Sequence, residues 1–327
     1  MPYTNLESRT DVQATIPERV SNDILTSLQY DSAAMTLFRH ITMGTNQTRM
    51  PVLSALPTAY FVNGDTGLKQ TTELAWANKY LNAEELAAIV PIPENVLDDM
   101  TLDIWGEAQP LLSQAIARAL DAAIFFGVNK PASWPVSIAA GAVAASQTVN
   151  RGTNNTAAGG IAGDVEDTLS KVEASGYAPT GFVTNRTYKS YFRKARDTQG
   201  QRLLDFGSPR TGALPNPGNA GDTFDMIEGL PVVYAMAGLW PTGSGSAELF
   251  TGDFQQGILG VRKDITWKML DQAVIQDNTG AIVYNLAQQD MVAIRVTCRF
   301  AFQVANTINY QQTVDANRYP FAALLAP

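Results

Sequence analysis

One cysteine, Cys298, and one histidine, His40, are all that a chain of 327 residues offers of two side chains central to metal sites and nucleophilic catalysis. A lone cysteine excludes an intramolecular disulfide. A Ser-His-Asp or Cys-His arrangement would need His40, which lies in a polar N-terminal stretch rather than near a strand end. The glycine-rich run from Gly152 to Gly163 holds neither G-x-G-x-x-G nor G-x-x-x-x-G-K-[ST], so it offers no phosphate cradle. No catalytic residue, metal ligand or cofactor site is therefore assigned. No apolar run approaches the roughly 20 residues of a membrane helix. Charge is scarce at 17% and acidic in balance, with 23 Lys and Arg against 31 Asp and Glu. A net charge of −8 argues against a strong global affinity for nucleic acid or an anionic membrane. The start, MPYTNLESRTD, lacks the basic and apolar regions of a signal peptide, and the chain is expected to be soluble and made in a cytoplasm.

Hydrophobic residues make up 45%, and the length normally divides into two domains or more. The longest periodic stretch is Leu102 to Gly127. Asp98, Asp99 and Thr101 supply N-terminal caps, and Leu102, Trp105, Ala108, Leu112, Ala115, Ala119, Ala123 and Phe126 recur at helical spacing. Leu111, Ile116, Leu120 and Ile124 widen the stripe, so most of this helix must be covered. Gly127 reads as its left-handed C-cap. Pro110 predicts a bend near Ala108 or a start at Gln109.

On the N-terminal side, residues 1–47 are polar. Ile16, Val20, Ile24 and Leu28, spaced by four, suggest a short amphipathic helix, followed by scattered Met35, Phe38 and Ile41. This stretch reads as an arm that lies on something else. Thr58 to Val62 and Leu68 to Trp76 read as strands around the turn Asn63 to Gly67, a hairpin with little core of its own. Tyr80 to Pro93 reads as extended and proline-punctuated.

After the long helix, residues 128–163 read as a loop. Asp164 is expected to cap a second helix ending at Gly176, Gly181 to Thr184 to form a buried strand, and Asn185 to cap a third helix over Arg186 to Arg196. Pro231 to Tyr234, Glu248 to Phe250 and Ile258 to Val261 read as strands. Met291 to Val304 alternates without a break and reads as a strand with one buried and one wetter face, its apolar side set against the long helix.

Five stretches in this order resemble the tailed-bacteriophage major capsid proteins of the Hong Kong ninety-seven type. They are LAAIVPIPENVLDDM from Leu86, IARALDAAIFFG from Ile116, RKARDTQGQRLL from Arg193, IEGLPVVYA from Ile227 and LFTGDFQQGILGVRKDI from Leu249. A closing strand with paired arginines, Arg295 and Arg299, adds to the likeness, which covers roughly residues 50 to 325. The resemblance implies an α+β fold: an N-terminal arm (1–47), an extended hairpin loop (48–93), a peripheral domain with the spine helix and closing strand (94–163 and 286–327) and an α/β axial domain (164–285).

It also implies a structural protein, not an enzyme, that assembles through pentamers and hexamers into an icosahedral head around double-stranded DNA, within the virion. The partners implied are copies of itself, a separate scaffolding protein, a portal and a decoration protein, with weak non-specific contacts to packaged DNA. Ile24, Leu28, Phe38, Gly64, Lys69, Trp76, Arg193 and Arg196 are the expected subunit-interface residues. Removal of residues 1–45 is expected to leave a soluble, partly folded subunit that cannot close shells. Some members link a loop lysine to a neighbour's asparagine, for which Lys69 with Asn306, Asn309 or Asn317 are the available pairs. The basic group Arg186, Lys189, Arg193, Lys194, Arg196, Arg202 and Arg210 reads as a solvated or intersubunit face. The alternatives are an encapsulin-type nanocompartment shell and an α/β enzyme.

Overall fold

The computed structural model describes residues 32–62, 67–95, 104–194, 225–235, 238–277 and 279–327. The expected helix through Ile16 and Leu28, the turn at Gly64, the caps Asp98, Asp99 and Thr101, and the run from Arg196 through Arg210 lie outside these residues. The helices are α1 (Ala33–Leu37), α2 (Ile104–Asp121), α3 (Ile138–Ala144), α4 (Ile161–Ala174) and α5 (Lys189–Lys194). The strands begin with β1 (Arg39–Thr42), β2 (Gln47–Ala55), β3 (Ala75–Asn82), β4 (Glu84–Pro93) and β5 (Thr148–Asn150). They continue with β6 (Gly181–Asn185), β7 (Asp225–Ile227), β8 (Leu230–Ala235), β9 (Ala247–Gly252) and β10 (Gly257–Leu270). The last are β11 (Val274–Gln276), β12 (Ile282–Asn285), β13 (Met291–Val304) and β14 (Phe321–Leu325).

Two sheets organise the body. One has four strands in the order β1-β10-β13-β4, the other six in the order β5-β14-β9-β6-β8-β7. Strand β10, expected among the 164–285 elements, pairs with β13 instead, because its apolar residues Ile258, Leu259 and Ile265 meet the closing strand. Conversely β5 and β14, read respectively as loop and as part of the 286–327 segment, enter the six-stranded sheet beside β9. Strand β13 is paired along both edges, and buried residues fall on both of its faces. Val296, Cys298, Phe300 and Phe302 share one core with Ile116, Leu120 and Ile124 of α2. Ala301, on the face expected to be wetter, is buried under Met43, Leu81 and Ala83.

Helix α2 runs through Pro110 from Ile104, so it does not start at Gln109. Pro110 is exposed, and the bond it removes costs least there. The helix widens into a π turn over Ala122–Phe126 before Gly127, whose φ of +76° gives the expected left-handed cap. Phe125 and Phe126 both reach Phe250 at 5.6 Å between ring centroids. Helix α3 replaces part of the expected loop, with the Ser137 hydroxyl accepting from Ala140 N–H as its cap. Helix α4 starts at Ile161, before Asp164. The Asp164 carboxylate instead accepts from Gly152 N–H and Asn154 N–H, tying down the preceding loop. Asn185 caps as expected, but a 3₁₀ turn (Arg186–Tyr188) precedes α5.

The largest departure concerns the arm. From Ser32 onward it belongs to the body. Phe38 lies among Phe125, Phe254, Phe302 and Phe321 with ring centroids 5.5–6.2 Å apart. A Cβ on Gly257 would fall 2.4 Å from the Phe38 ring, so only glycine fits there. Strand β1 then pairs in parallel with β10. The Asp121 carboxylate accepts from Ser32 Oγ, Ala33 N–H and Ala34 N–H at 2.7–3.1 Å, joining the arm's root to the end of α2.

Burial pushes the Asp121 carboxyl up to about 6, against the hydrogen bonds from Ser32, Ala34 and Ala33 that pull it down. Its folded-state value thus lies above its unfolded one, and between about pH 4 and 6 the folded state holds the proton more tightly. Acidification from pH 7 to 5 therefore adds about 1 kcal/mol of stability through this group, and rising pH through 6 removes it. Asp121→Asn is expected to lose that component of the pH slope while lowering stability at pH 7. Thermal melts of both proteins across this range check it.

Candidate assembly surface

The β2–β3 hairpin is anchored at its root. Val52 and Leu81 are buried, and Met43, Leu81 and Ala83 pack on Ile258, Ala301 and Ala305. Trp134 Nε1–H donates to Asn82 O, and Gln303 Nε2–H to Tyr80 O. The ladder runs from Gln47↔Asn82 to Ala55↔Ala75 and stops. Of the expected strands Thr58 to Val62 and Leu68 to Trp76, only Ala75 and Trp76 fall in the ladder, and the rest lie beyond it and are not strands. The two limbs face each other there through side chains, with Thr58 N–H donating to Thr72 Oγ1 and Tyr60 Oη–H to Gln70 O. Pro57 supplies no donor at the point where pairing ends, and among the described residues nothing covers the large apolar side chains of either limb.

That lack of cover is the main physical fact about the projection. Phe61 is fully exposed, Leu68 is 89% exposed and Trp76 64%, with Tyr60, Val62, Leu74 and Tyr80 also exposed. A body contact beyond the root is made by Tyr310 Oη–H to Pro57 O. A run of exposed large apolar side chains on one projection marks a surface that another molecule covers.

A second projection repeats the pattern on a smaller scale. Strands β11 and β12 form a two-stranded sheet whose turn is closed by Asp277, accepting from Thr279 N–H, Thr279 Oγ1–H and Ala281 N–H. Those bonds hold the Asp277 carboxyl below the usual carboxylate range. Val274, Ile282, Val283 and Tyr284 are exposed on it.

The expected interface residues fall unevenly. Trp76 and Lys69 are exposed on the β2–β3 projection. Phe38 is only 5% exposed and sits in the chain's own core, so it has no surface to offer a neighbour. Arg193 is in α5, while Ile24, Leu28, Gly64 and Arg196 lie outside the described residues. Of the basic group, Arg186 and Lys194 are exposed, and Lys189 stands over the Tyr234 ring at 5.6 Å. Among the asparagines, Asn309 accepts from Gln311 N–H and Gln312 N–H and donates to Ser175 O. Asn306 accepts from Tyr177 and donates to Asp315, whereas Asn317 is exposed.

His40 and Cys298 do not come together in a site. His40 is exposed on the edge strand β1. Burial pushes the Cys298 thiol up to about 12, where it is neither nucleophile nor metal ligand. Among the described residues no group of three His, Cys, Asp or Glu side chains could hold a metal ion. The second projection has a sequence signal of its own, the alternating Ile282 and Tyr284, which pair with Gln276 and Ile275 within the stretch 164–285 that reads as one α/β unit.

The chain matches the family described as the phage capsid family over residues 13–308. It is 25% identical over 309 residues to the major capsid protein of Staphylococcus phage 80alpha, covering 93% of this chain and 86% of that one. A solved structure from Microbacterium phage Oxtober96 is 34% identical with a TM-score of 0.76, covering 98% of this chain and 96% of that one. One from Mycobacterium phage Adephagia is 31% identical with a TM-score of 0.74, covering 95% of each chain. The capsid of a native GTA particle shares the fold, at 17% identity, with a TM-score of 0.60 over 99% of this chain and 95% of that one. These relatives do not favour the encapsulin alternative. The chain belongs to the phage capsid family, as a major capsid protein of a tailed phage.

Proposed function

We propose that the protein closes an icosahedral shell around double-stranded DNA through pentamers and hexamers in which each subunit's two projections lie on neighbouring copies. The observation that carries this is the β2–β3 projection, with Phe61, Leu68 and Trp76 exposed and uncovered by the described residues of its own body. A heterologous contact that closes by rotation makes rings, and rings that share overlapping projections make a shell. Each contact is weak alone, but several per subunit raise the effective concentration of the next, so the closed shell is far more stable than any one contact.

Gly64, Lys69 and Trp76 serve the loop's contacts, Arg193 and Arg196 those of the axial domain, and Ile24 and Leu28 those of the N-terminal arm. A scaffolding protein, a portal and a decoration protein are the further partners of such a shell. If Lys69 forms a covalent link, Asn317 is the acceptor to expect, because its carboxamide is open to attack by the amine with loss of ammonia. A ladder above the monomer on a denaturing gel, abolished by Asn317→Ala, would show the bond.

The full-length chain expressed alone or with its scaffold, viewed by negative-stain microscopy, tests the reading. Rings or closed shells are expected. A species of monomer or dimer size at every concentration would overturn it.

A further inference from the structure

Strand β4 ends the four-stranded sheet on one side, and the described residues supply no strand beyond it. Register fixes which of its backbone groups are used inside the sheet. Glu94 N–H donates to Asp290 O at 2.8 Å, one step past the pair Pro93↔Met291. Opposed residues in an antiparallel pair alternate between exchanging both backbone bonds and exchanging none. Leu86, Ala88, Val90 and Ile92 therefore bond to β13. Glu85, Ala87, Ile89, Pro91 and Pro93 alternate with them and turn their backbone groups away from it.

Proteins defend such an edge with charge or with proline, which has no donor to offer. Pro91 and Pro93 do this for the C-terminal half of β4. In the N-terminal half Glu85, Ala87 and Ile89 are exposed, and each turns an N–H and a C=O outward. The single charge there, Glu85, is paired with Arg299 at 3.1 Å. One face of this half is also unfinished, because Leu86, Ala88 and Val90 pack against the main core yet stay only half-buried.

The edge without a strand has a counterpart in the same chain. Residues 58–62, TAYFV, are exposed, and no ladder joins them to the limb they face. Four of these five residues are strand formers, whereas the facing limb, 68–74, reads LKQTTEL and is mostly polar. The TAYFV stretch matches residues 85–89 in length. It is held away from its own β4 by the ladder from Gln47 to Ala55, about 26 Å at roughly 3.3 Å per residue, whose root adjoins the start of β4.

We infer that residues 58–62 of one copy add as a fifth strand to the free edge of β4, along residues 85–89, in a neighbouring copy. Main-chain bonds supply the affinity in contacts of this kind, and alternate side chains supply the fit. One face of the added strand then covers Leu86, Ala88 and Val90, and the other lies beside Ile89. Because every copy carries both the edge and the strand, the contact is heterologous and repeats around a ring. The inference rests on the reading of the chain as a shell subunit, and it names where the β2–β3 projection lands and which backbone groups hold it.

Hydrogen exchange of the full-length protein, as free subunits and as shells, is the first test. Peptides covering 56–63 and 84–93 are expected to gain protection together on assembly. The second test is the double variant Ala87→Pro, Ile89→Pro, which removes two outward donors and none that β13 uses, in the phase that Pro91 and Pro93 already occupy. It is expected to melt nearly as the wild type does and to raise the concentration threshold for assembly at least about tenfold, since two hydrogen bonds are lost per contact. Ala87→Thr keeps the donor and should keep the threshold near the wild-type value. A normal threshold from the proline variant, or an 84–93 segment as open in shells as in free subunits, overturns the inference and leaves the shell reading intact. Protection of 84–93 without 56–63 overturns it too, and gives the edge to another segment such as residues 1–31. Should the proline variant fail to fold, the exchange pattern of wild-type shells decides alone. A protein that forms neither rings nor shells at any concentration overturns both readings.

Discussion

A chain trimmed to begin at Ser32 keeps its folded body, whereas one trimmed to begin at Asn46 is expected to unfold or aggregate. The difference lies in 14 residues, 32–45, that the sequence assigned to a detachable arm. Within them Phe38 fills the junction between α2, β10, β13 and β14, touching Phe125, Phe254, Phe302 and Phe321. Emptying such a site costs about 3–5 kcal/mol in other cores. The same cut leaves the Asp121 carboxylate buried without the three donors it now has, a loss of about 1–3 kcal/mol or more for a charged group. It also uncovers the edge of β10, which β1 now pairs over Arg39–Thr42. Together these approach the whole stability of an ordinary domain, about 5–15 kcal/mol. Phe38→Ala in the full chain isolates the first part. It is expected to lower the melting temperature strongly without touching the assembly surface. Circular dichroism melts and solubility of the two truncations decide the matter, and equal melting of both would return residues 32–45 to the arm.

The sequence disclosed this fold where a signal was local and long. The alternation of Met291 to Val304 and the stripe through Ile116, Leu120 and Ile124 both mark real elements, and Gly127 and Asn185 end or begin elements as their residue types require. It failed where the deciding partner is distant. Phe38 sits in a polar stretch, and nothing nearby announces four phenylalanines from four other places in the chain. FAALL at Phe321–Leu325 is too short to tell strand from helix, and its partners at Thr148 and Gly252 are far away in sequence. Nothing in the sequence around Asp121 indicates that Ser32, 89 residues away, donates to it.

The hairpin shows a different failure. Thr58 to Val62 is the stretch with higher strand propensity, yet the ladder forms over Gln47–Ala55, with Pro51 inside it. A two-stranded ribbon tolerates proline because its outer donors need no partner. Propensity describes a half-buried pleated surface, and the TAYFV stretch has no surface of its own chain to pleat against. Of the expected assembly residues, Trp76 and Lys69 are where a neighbour can reach them. On the opposite side of the same problem, Arg295 and Arg299 are visible in the sequence as a spaced pair, but their confrontation with Lys268 and Lys263 exists only through strand register.

Replacing residues 57–73 by a two-residue Asn-Gly turn is expected to leave the subunit's melting temperature nearly unchanged and to abolish closed shells. The ladder from Gln47↔Asn82 to Ala55↔Ala75 survives the change, and a two-residue turn of this type suits antiparallel strands. The removed part contributes almost nothing to the subunit's own core, since Phe61 and Leu68 touch solvent rather than protein. Its value lies between subunits. Burying one aromatic side chain of about 150–250 Å² against a neighbour is worth about 4–6 kcal/mol at about 25 cal/mol per Å² before ordering costs. Even a net 1.4 kcal/mol per contact is a factor of about ten in affinity, and a shell multiplies that factor over every subunit it must hold. Trp76→Ser, which removes one exposed ring and no backbone, is expected to act in the same direction: folded subunits, slower closure and a higher concentration threshold for assembly. Light scattering against concentration measures the threshold, and negative-stain images report closure. Normal shells from the shortened hairpin at wild-type concentration would mean that the four exposed apolar side chains it lacks, Tyr60, Phe61, Val62 and Leu68, cover nothing in the head, and the contacts that close it would have to be sought nearer the hairpin's root or on the β11–β12 projection.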